Sequence, residues 1–184
     1  MQKTRSKLTT TAILLCIVSA LLLPSCGQKE IHGEDLLNLS DARLYEQVYI
    51  QTLDLVWSYE DEETALASMS DACRTVYVLS IFDMEIQNGG LCQFFVNPSR
   101  LLAPYVDECL ETVQAYDHQA LFSEFVTDNQ IDLTHLESFA ADNVGEYAEQ
   151  AKCYDFDAFD RAYVALTPLQ NSIVTYIKAH IEEF

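Results

Sequence analysis

Hydrophobic residues recur at intervals of three or four through most of the chain, the spacing of one face of an α-helix. The first series follows Ser40, a residue suited to capping a helix that begins at Asp41. It comprises Leu44, Val48, Ile50, Leu53 and Trp57. A second series, capped by Ser70 or Asp71, comprises Val76, Leu79, Phe82 and Ile86. The acidic run of residues 60–63 between them suits a solvated connection or a first helical turn, where carboxylates complement the helix dipole.

The second series ends at Asn88-Gly89-Gly90, which contains the only adjacent glycines in the chain. Asn and Gly tolerate the left-handed backbone conformation in which helices commonly end. Bulky apolar residues return at once with Phe94, Phe95 and Val96, so the chain must turn sharply and re-enter the core. The pattern therefore predicts a helix, a tight Gly-Gly corner and a second helix.

Two further helices are predicted over residues 102–115 and 118–126. Their inward faces are expected to carry Leu102, Val106, Leu110 and Val113, and then Leu121, Phe122 and Phe125. Residues 127–156 have the weakest pattern, which predicts a short helix over 136–141 and a loop containing Gly145.

A helical hairpin is predicted at the end of the sequence. Phe159, Tyr163 and Leu166 share one face of its first helix, with Val164 beside them. The second helix carries Ile173, Val174, Ile177 and Ile181. Residues 167–170 (Thr-Pro-Leu-Gln) combine a cap, a proline in the first turn and a capping-box glutamine.

Convincing alternation of apolar and polar residues, the sign of a half-buried β-strand, is lacking. The length and the apolar content suit one domain with a real hydrophobic core. The sequence therefore predicts an all-α protein, with a single compact domain of six to eight helices over residues 40–184.

The first 25 residues have the organisation of an export signal. Lys3, Arg5 and Lys7 precede an apolar run over residues 11–23, which is shorter than the roughly 20 residues that a membrane span requires. Leu23-Pro24-Ser25-Cys26 resembles the bacterial lipoprotein signal, in which the cysteine is acylated and becomes the mature N-terminus. Pro24 is an uncommon residue in that motif, and an ordinary secretory signal with a chance cysteine is the alternative.

This interpretation gives residues 1–25 as a lipoprotein signal peptide, Cys26 as the lipidated residue and residues 26–39 as the lipidated N-terminus and tether. We expect the protein to be exported and anchored by lipid at the bacterial cell envelope, on the outer face of the cytoplasmic membrane or on the outer membrane.

The chain has 10 Lys and Arg residues against 29 Asp and Glu residues. Three basic residues and no acidic ones lie in the predicted signal, which leaves 7 basic and 29 acidic residues and a formal charge of −22. Such a charge disfavours anionic lipid headgroups and excludes direct nucleic-acid binding through basic contacts. It favours cationic partners such as basic proteins, polyamines or divalent metal ions. A solvated acidic shell without a partner is the alternative.

No catalytic or metal-ligating pattern stands out. The mature chain would carry four cysteines besides Cys26, at Cys73, Cys92, Cys109 and Cys153. Export would permit oxidation in any of three pairings, but no C-x-x-C spacing indicates zinc or redox chemistry. The histidines are scattered, without an H-E-x-x-H motif. We therefore expect no catalytic residue, no metal site and no cofactor, and hence no enzyme activity.

Two polar groupings each have two interpretations. Residues 155–160 (Asp-Phe-Asp-Ala-Phe-Asp) superficially suggest a calcium loop, but Phe159 occupies a ligand position and a central glycine is missing. Asp157 as a helix cap, with Asp160 in the first turn, explains them more simply.

Asn88, Gln93 and Asn97 bracket the corner. They either form a small polar pocket beside Phe94 and Phe95 or satisfy backbone groups stranded at the turn, and the sequence favours the second interpretation.

Two motifs together resemble the acidic DNA-mimic protein family. The first is Asn88-Gly89-Gly90 followed by Gln93-Phe94-Phe95-x-Asn97, and the second is Asp157-x-x-Asp160-x-x-Tyr163. The similarity runs from about residue 70 onward, and Leu91-Cys92 departs from the aromatic and variable residues usual in the family. The resemblance implies an all-helical domain and a homodimer. The family's known member has an acidic surface that imitates DNA and occupies a transcription factor, but this mimicry depends on that member's surface charges and not on the motif. The resemblance assigns no other activity to the shared domain.

Carboxylates three or four residues apart on a helix lie about 5–6 Å apart at Cβ, a spacing comparable to that of phosphates along one DNA strand. Such pairs define a candidate acidic binding face of Asp107, Glu111, Asp142, Glu146 and Glu149, although a chain this acidic contains such pairs by chance. A transcription factor is not reachable from outside the membrane, so the expected target is an exported or surface-exposed basic protein. The second hypothesis is a small-molecule or metal-binding envelope protein with a pocket near residues 88–97.

Overall fold

The computed structural model describes residues 31–184, and within them the chain forms eight α-helices and four short 3-10 helices. The α-helices are α1 (Asp41–Trp57), α2 (Glu62–Ser68), α3 (Asp71–Val96), α4 (Ala103–Thr112), α5 (Tyr116–Asp128), α6 (Val144–Gln150), α7 (Phe156–Ala165) and α8 (Leu169–Ala179). The 3-10 helices span Gly33–Asn38, Pro98–Leu102, Glu137–Phe139 and Ile181–Glu183.

No strand occurs in residues 31–184, so the predicted all-α fold is confirmed. None of the helices in this range is both long and apolar enough to cross a bilayer. The predicted signal peptide, Cys26 and residues 26–30 of the predicted tether lie outside the described residues.

Helix α3 is the element against which the others pack. It contacts α1, α4, α6, α7 and α8, because buried residues occupy most of its circumference rather than a single stripe. Phe82 lies fully buried at its centre and meets Phe94, Phe122 and Tyr163 edge to face, with ring centroids 5.1, 5.4 and 6.0 Å away. These rings come from α3 itself, α5 and α7, so one side chain joins three helices.

The predicted inward faces of the middle helices are confirmed. Leu102, Val106, Leu110 and Val113 are all buried along the Pro98–Leu102 turn and α4. In α5, Phe122 and Phe125 are buried and Leu121 is half-buried. The short helix predicted over residues 136–141 is present as the 3-10 helix Glu137–Phe139.

The loop predicted around Gly145 is wrong, because this glycine lies inside α6. The side chain of Asn143 accepts a hydrogen bond from the N–H of Glu146 at 3.0 Å, and the Glu146 carboxylate accepts one from the backbone N–H of Asp142 at 2.7 Å. This reciprocal capping satisfies the exposed amides at the helix start and offsets the low helix propensity of glycine.

Caps at the starts of α2 and α3 follow the sequence pattern. The Ser70 hydroxyl accepts a hydrogen bond from the N–H of Cys73 at 3.2 Å. Asp61, in the acidic run, accepts one from the N–H of Thr64 at 2.7 Å. The run therefore forms the first turn of α2, one of the two interpretations of its sequence.

Caps in the C-terminal hairpin differ from the prediction. Helix α7 is capped by Asp155 and not by Asp157, because the Asp155 carboxylate accepts a hydrogen bond from the N–H of Ala158 at 3.0 Å. Pro168 itself occupies the N-cap position of α8 and supplies no side-chain acceptor. The capping box predicted over residues 167–170 is therefore wrong.

Helix α1 buries a stripe that only partly matches its most hydrophobic positions. The buried residues are Leu44, Val48, Thr52 and Val56. Trp57 is 72% exposed and Ile50 is also exposed. The buried residues are spaced by four, and this spacing places Thr52 on the buried face. Its hydroxyl is satisfied there because it donates to the carbonyl oxygen of Tyr49 at 2.8 Å.

The two ends of the described chain meet. The N–H of Gly33 donates to the carbonyl oxygen of Phe184 at 2.8 Å, and the 3-10 helices Gly33–Asn38 and Ile181–Glu183 pack together. Leu36 has no exposed surface. Residues 33–38, predicted to belong to a tether that ends at residue 39, are therefore part of the folded domain.

Candidate functional site

The predicted Gly-Gly corner interrupts α3. Gly89 (φ −159°, ψ 19°) and Gly90 (φ 78°, ψ 177°) depart from helical geometry and separate a helical segment over residues 71–88 from a second segment over 91–96. The positive φ of Gly90 belongs to a region that side-chain-bearing residues rarely occupy. The predicted helix–corner–helix arrangement is confirmed.

The corner folds the chain back on itself. In a straight helix, Phe82 and Phe94 would be separated by about 18 Å along the axis, at a rise of about 1.5 Å per residue. Their ring centroids are 5.1 Å apart. The glycines thus bring an aromatic residue from beyond the corner into the core packed around Phe82.

A buried carboxylate holds the corner on its polar side. Glu85 is 8% exposed and accepts hydrogen bonds from Nε2 of Gln93 at 2.6 Å, from Nδ2 of Asn97 at 2.9 and 3.1 Å and from the hydroxyl of Ser99 at 2.8 Å. The motif amides Gln93 and Asn97 therefore satisfy a side-chain carboxylate, and not the backbone groups that the sequence interpretation favoured. Asn88 is exposed.

A second carboxylate reaches the corner from α7. Oδ1 of Asp160 accepts a hydrogen bond from the N–H of Leu91 at 2.8 Å, the first residue of the segment over 91–96. Asp160 thus acts as an N-cap supplied by a distant helix. The Asp160 carboxylate lies against Gly90, where a Cβ would collide with Oδ2. Glycine is therefore required at this position by space as well as by its φ angle.

Tyr163 of the second motif lies one turn beyond Asp160. Its hydroxyl donates to Oδ1 of Asp83 at 2.8 Å, and its ring lies edge to face with the imidazole of His118, at a centroid distance of 5.1 Å. Burial, followed by the Asp83 charge, raises the pKa of Tyr163 well above its usual value. Burial lowers the pKa of His118, although Asp83 and Asp117 oppose this shift. Asp157, the remaining motif residue, is exposed in the first turn of α7.

The two sequence motifs therefore form a single structural unit, which we call the corner site. A groove of about 250 Å³ opens beside it. The groove is lined by Asn88, Gly89 and Gly90 from the first motif, by Asp160 and Tyr163 from the second, and by Val164. Burial raises the pKa of Asp160, opposed by the Leu91 hydrogen bond and reinforced by the Asp157 charge.

The five carboxylates of the predicted acidic face have different environments. Asp107 on α4 is half-buried and accepts hydrogen bonds from Gln119, at 3.1 Å, and from Ser123, both on α5. It therefore joins two helices. Glu111 on α4 is exposed, and within residues 31–184 its carboxylate makes no hydrogen bond or ion pair.

The other three carboxylates of the predicted acidic face lie in or next to α6. Asp142 is exposed and lies just before the helix. Glu146 caps α6, as described above, and Glu149 pairs with Lys152 at 2.7 Å. Only part of the predicted face thus remains available to a partner.

The four cysteines of the folded domain are free thiols. Burial raises the pKa of Cys73 and Cys92, and it raises the pKa of Cys109 to about 11. These three thiols are therefore protonated at neutral pH and are weak nucleophiles. Within residues 31–184, no three His, Cys, Asp or Glu side chains are grouped so that they could hold a metal ion.

Sequence reasoning identified the corner motif but missed Glu85, Asp83 and Ser99 as its partners. A carboxylate buried among neutral donors has no signature of its own in a single sequence. The available signal was the close spacing of the amide residues Gln93 and Asn97 after the corner, which indicates a shared acceptor nearby.

We predict that Gly90→Ala lowers the free energy of unfolding by at least about 2 kcal/mol, because the new Cβ meets both a disfavoured φ and the Asp160 carboxylate. Gly145→Ala is the matched control. It lies in a helix, so a propensity gain of up to about 1 kcal/mol offsets crowding on Asn143. Urea unfolding followed by circular dichroism measures both, and equal effects of the two substitutions would contradict the assignment.

We further predict a pH-dependent stability difference between the wild type and Asp160→Asn. Because the folded pKa of Asp160 is raised, folding favours the protonated acid. The contribution of this group to stability is complete below the unfolded value of about 4 and is lost as the pH rises through the folded pKa. The substituted amide does not titrate, so subtracting the two unfolding free energies isolates this change. A difference that is constant from about pH 4 upward would refute the prediction.

A family model described as DMP19-like protein matches residues 67–180, a range that contains the corner site and both motifs. The match confirms the resemblance to the DNA-mimic family seen in the sequence. A search of curated proteins and a search of solved structures each found no match. The chain belongs to the DMP19-like protein family.

Proposed function

We propose that this protein is a lipid-anchored acidic protein of the cell envelope that binds a basic protein partner through acidic helix faces, and that it is not an enzyme. The observation that carries the proposal is the excess of unpaired carboxylates. Residues 31–184 contain six Lys and Arg residues against 28 Asp and Glu residues, since only Glu30 among the 29 acidic residues precedes this range.

Internal ion pairs neutralise little of this charge. Within residues 31–184, Lys and Arg side chains pair with four carboxylates: Asp41, Glu46, Asp71 and Glu149. Arg100 instead donates to the carbonyl oxygens of Val96 and Asn97 at 3.0 and 2.9 Å. The exposed carboxylates that remain unpaired are thus available to a cationic surface and create a field that accelerates encounter with one.

Helices α4 and α5 are the acidic surface that the proposal assigns to the partner. Asp107 joins these helices through Gln119 and Ser123. Exposed carboxylates flank this junction, namely Glu108 and Glu111 on α4 and Glu124 and Asp128 on α5. Membership of the DMP19-like family supports a DNA-mimic-like role for such a surface, and the homodimer implied by the resemblance would present it twice.

A second candidate function is a small-molecule or metal-binding envelope protein, which the groove at the corner site favours. Its volume of about 250 Å³ is smaller than the roughly 300–1,000 Å³ typical of pockets for drug-sized ligands. Thermal stabilisation by a member of a metabolite and metal panel would support this candidate.

Lipid anchoring predicts that Cys26→Ser releases the protein from the membrane fraction. The serine cannot form the thioether that carries the lipid, so the variant would lack its lipid anchor. Fractionation with metabolic labelling by a fatty-acid analogue measures both effects. Cys73→Ser is the matched control, because it removes a cysteine from the folded domain. Unchanged membrane retention and labelling of Cys26→Ser would exclude the anchor.

Partner binding is predicted to weaken steeply with salt. The screening length falls from about 10 Å at 0.1 M to about 3 Å at 1 M, so a contact between exposed charges loses most of its attraction. Affinity capture from an envelope extract at both ionic strengths, followed by mass spectrometry, should recover a basic protein at low salt only. Recovery that does not change with salt, or no specific protein at either ionic strength, would refute the proposal.

A further inference from the structure

We infer that the groove at the corner site receives a lysine or arginine side chain of the basic partner. This inference rests on the proposed function and deepens it. It assigns the position at which the partner is anchored, whereas the exposed carboxylates elsewhere provide attraction without fixed geometry.

The groove has the two surfaces that a long cationic side chain requires. Val164 is 70% exposed, and Ile86 and Tyr163 also line the groove, which gives it an apolar wall. Lys and Arg bury their methylene stems along apolar surface while the charged head group stays at a polar site. A cationic side chain lying along this wall would cover Val164.

The polar end of the groove is the Asp160 carboxylate. Its Oδ1 is occupied by the N–H of Leu91 at 2.8 Å. Its Oδ2 lies against Gly90 and accepts no hydrogen bond from any residue in the range 31–184. One oxygen is therefore fixed by the fold, while the other is held in place without a donor of its own, and a carboxylate anchored in this way is pre-organised for a second donor.

The helices that form the site carry two further carboxylates, Asp157 on α7 and Asp83 on α3. Asp157 lies one turn before it and raises its pKa, and Asp83 lies across the Tyr163 hydroxyl. The helical segment over residues 71–88 also ends here, and the carbonyl end of a helix carries partial negative charge. Within residues 31–184, no ion pair neutralises these three carboxylates. Cations are therefore attracted to the groove, and anions are repelled.

Energetics favour the same occupant. Burial raises the pKa of Asp160, so the fold disfavours the ionised form of this carboxylate. A bound cation would offset this penalty by pairing with the charged form. The groove volume of about 250 Å³ lies below the range for drug-sized ligands, and one extended side chain is the occupant that combines this size with this charge.

The test is NMR titration of the ¹⁵N-labelled protein with Nα-acetyl-arginine amide and Nα-acetyl-lysine amide. Nα-acetyl-citrulline amide is the uncharged control. We expect saturable shifts of the Gly90 and Leu91 amide signals with at least one of the two cations and not with citrulline. Absent shifts at these amides, or equal shifts with citrulline, would overturn the inference.

Asp160→Asn is the diagnostic variant, because the amide oxygen can still accept the Leu91 N–H while the charge is lost. Asp157→Asn is its matched control, since it removes the same charge from an exposed position one turn away. Circular dichroism verifies that both variants fold. We expect at least a tenfold loss of affinity for the cationic probe in Asp160→Asn and less than a threefold loss in Asp157→Asn. Equal losses would show general electrostatic attraction and would overturn the inference.

The same variants separate this inference from the proposed function. If the wild type captures a basic protein at low salt and Asp160→Asn captures it equally well, the groove is not the anchor, although the proposed function stands. If the wild type captures nothing, the proposed function itself fails. Tighter binding of spermidine or Ca²⁺ than of acetyl-arginine amide at Gly90 and Leu91 would identify a free cation as the occupant and overturn the inference.

Discussion

The hydrogen bond from the N–H of Leu91 to Asp160 connects residues 69 positions apart in the sequence and allows α3 to resume after its interruption. A helical segment that starts in the middle of a core exposes amide groups that water cannot reach, and an unsatisfied buried amide costs about 1–3 kcal/mol. Asp160 supplies the missing acceptor from α7. The spatial requirement for glycine at residue 90 and the polar end of the groove both follow from this contact, which also fixes part of α7 against α3.

On the other side of the corner, Glu85 is a buried acceptor that needs donors, whereas Leu91 supplies a buried donor that needs an acceptor. A buried carboxylate is strongly unfavourable unless its oxygens are satisfied, and here the donors are two amides and a hydroxyl rather than a cation. All of them come from beyond the corner, so the cost of burying the charge is offset only when the chain has turned. A straight α3 would leave Glu85 without these donors. The carboxylate thus favours the bent form over the extended one.

The features predicted correctly from the sequence, namely helix positions and one helix cap, depend on interactions between residues close together in the chain. Ser70 caps α3, and the interval of hydrophobic residues places α4, α5, α7 and α8 correctly, because capping and helical periodicity involve residues only a few positions apart. Asp157 was predicted as the cap of α7, whereas Asp155 is the cap, because the backbone geometry of the turn decides which of the two aspartates reaches the helix start. In α1, hydrophobicity alone favoured Ile50 and Trp57, whereas the regular packing interval buries Thr52.

The site was predictable in its residues but not in its contacts. Both motifs were recognised from sequence, yet the contacts that unite them link Asp83 with Tyr163 and Leu91 with Asp160. Pairings over such separations depend on how α7 docks against α3, which no local pattern encodes. For the same reason, the amides around the corner were assigned to backbone groups when their acceptor is Glu85.

The backbone bond between Gly33 and Phe184 has a consequence for biogenesis. It closes a loop that contains nearly all of the described chain, so the first structured segment finds its partner only after residue 184 has been synthesised. Domains otherwise begin to fold from their N-terminal side during synthesis. A chain whose outermost elements need each other remains incompletely folded until residue 184 has left the ribosome.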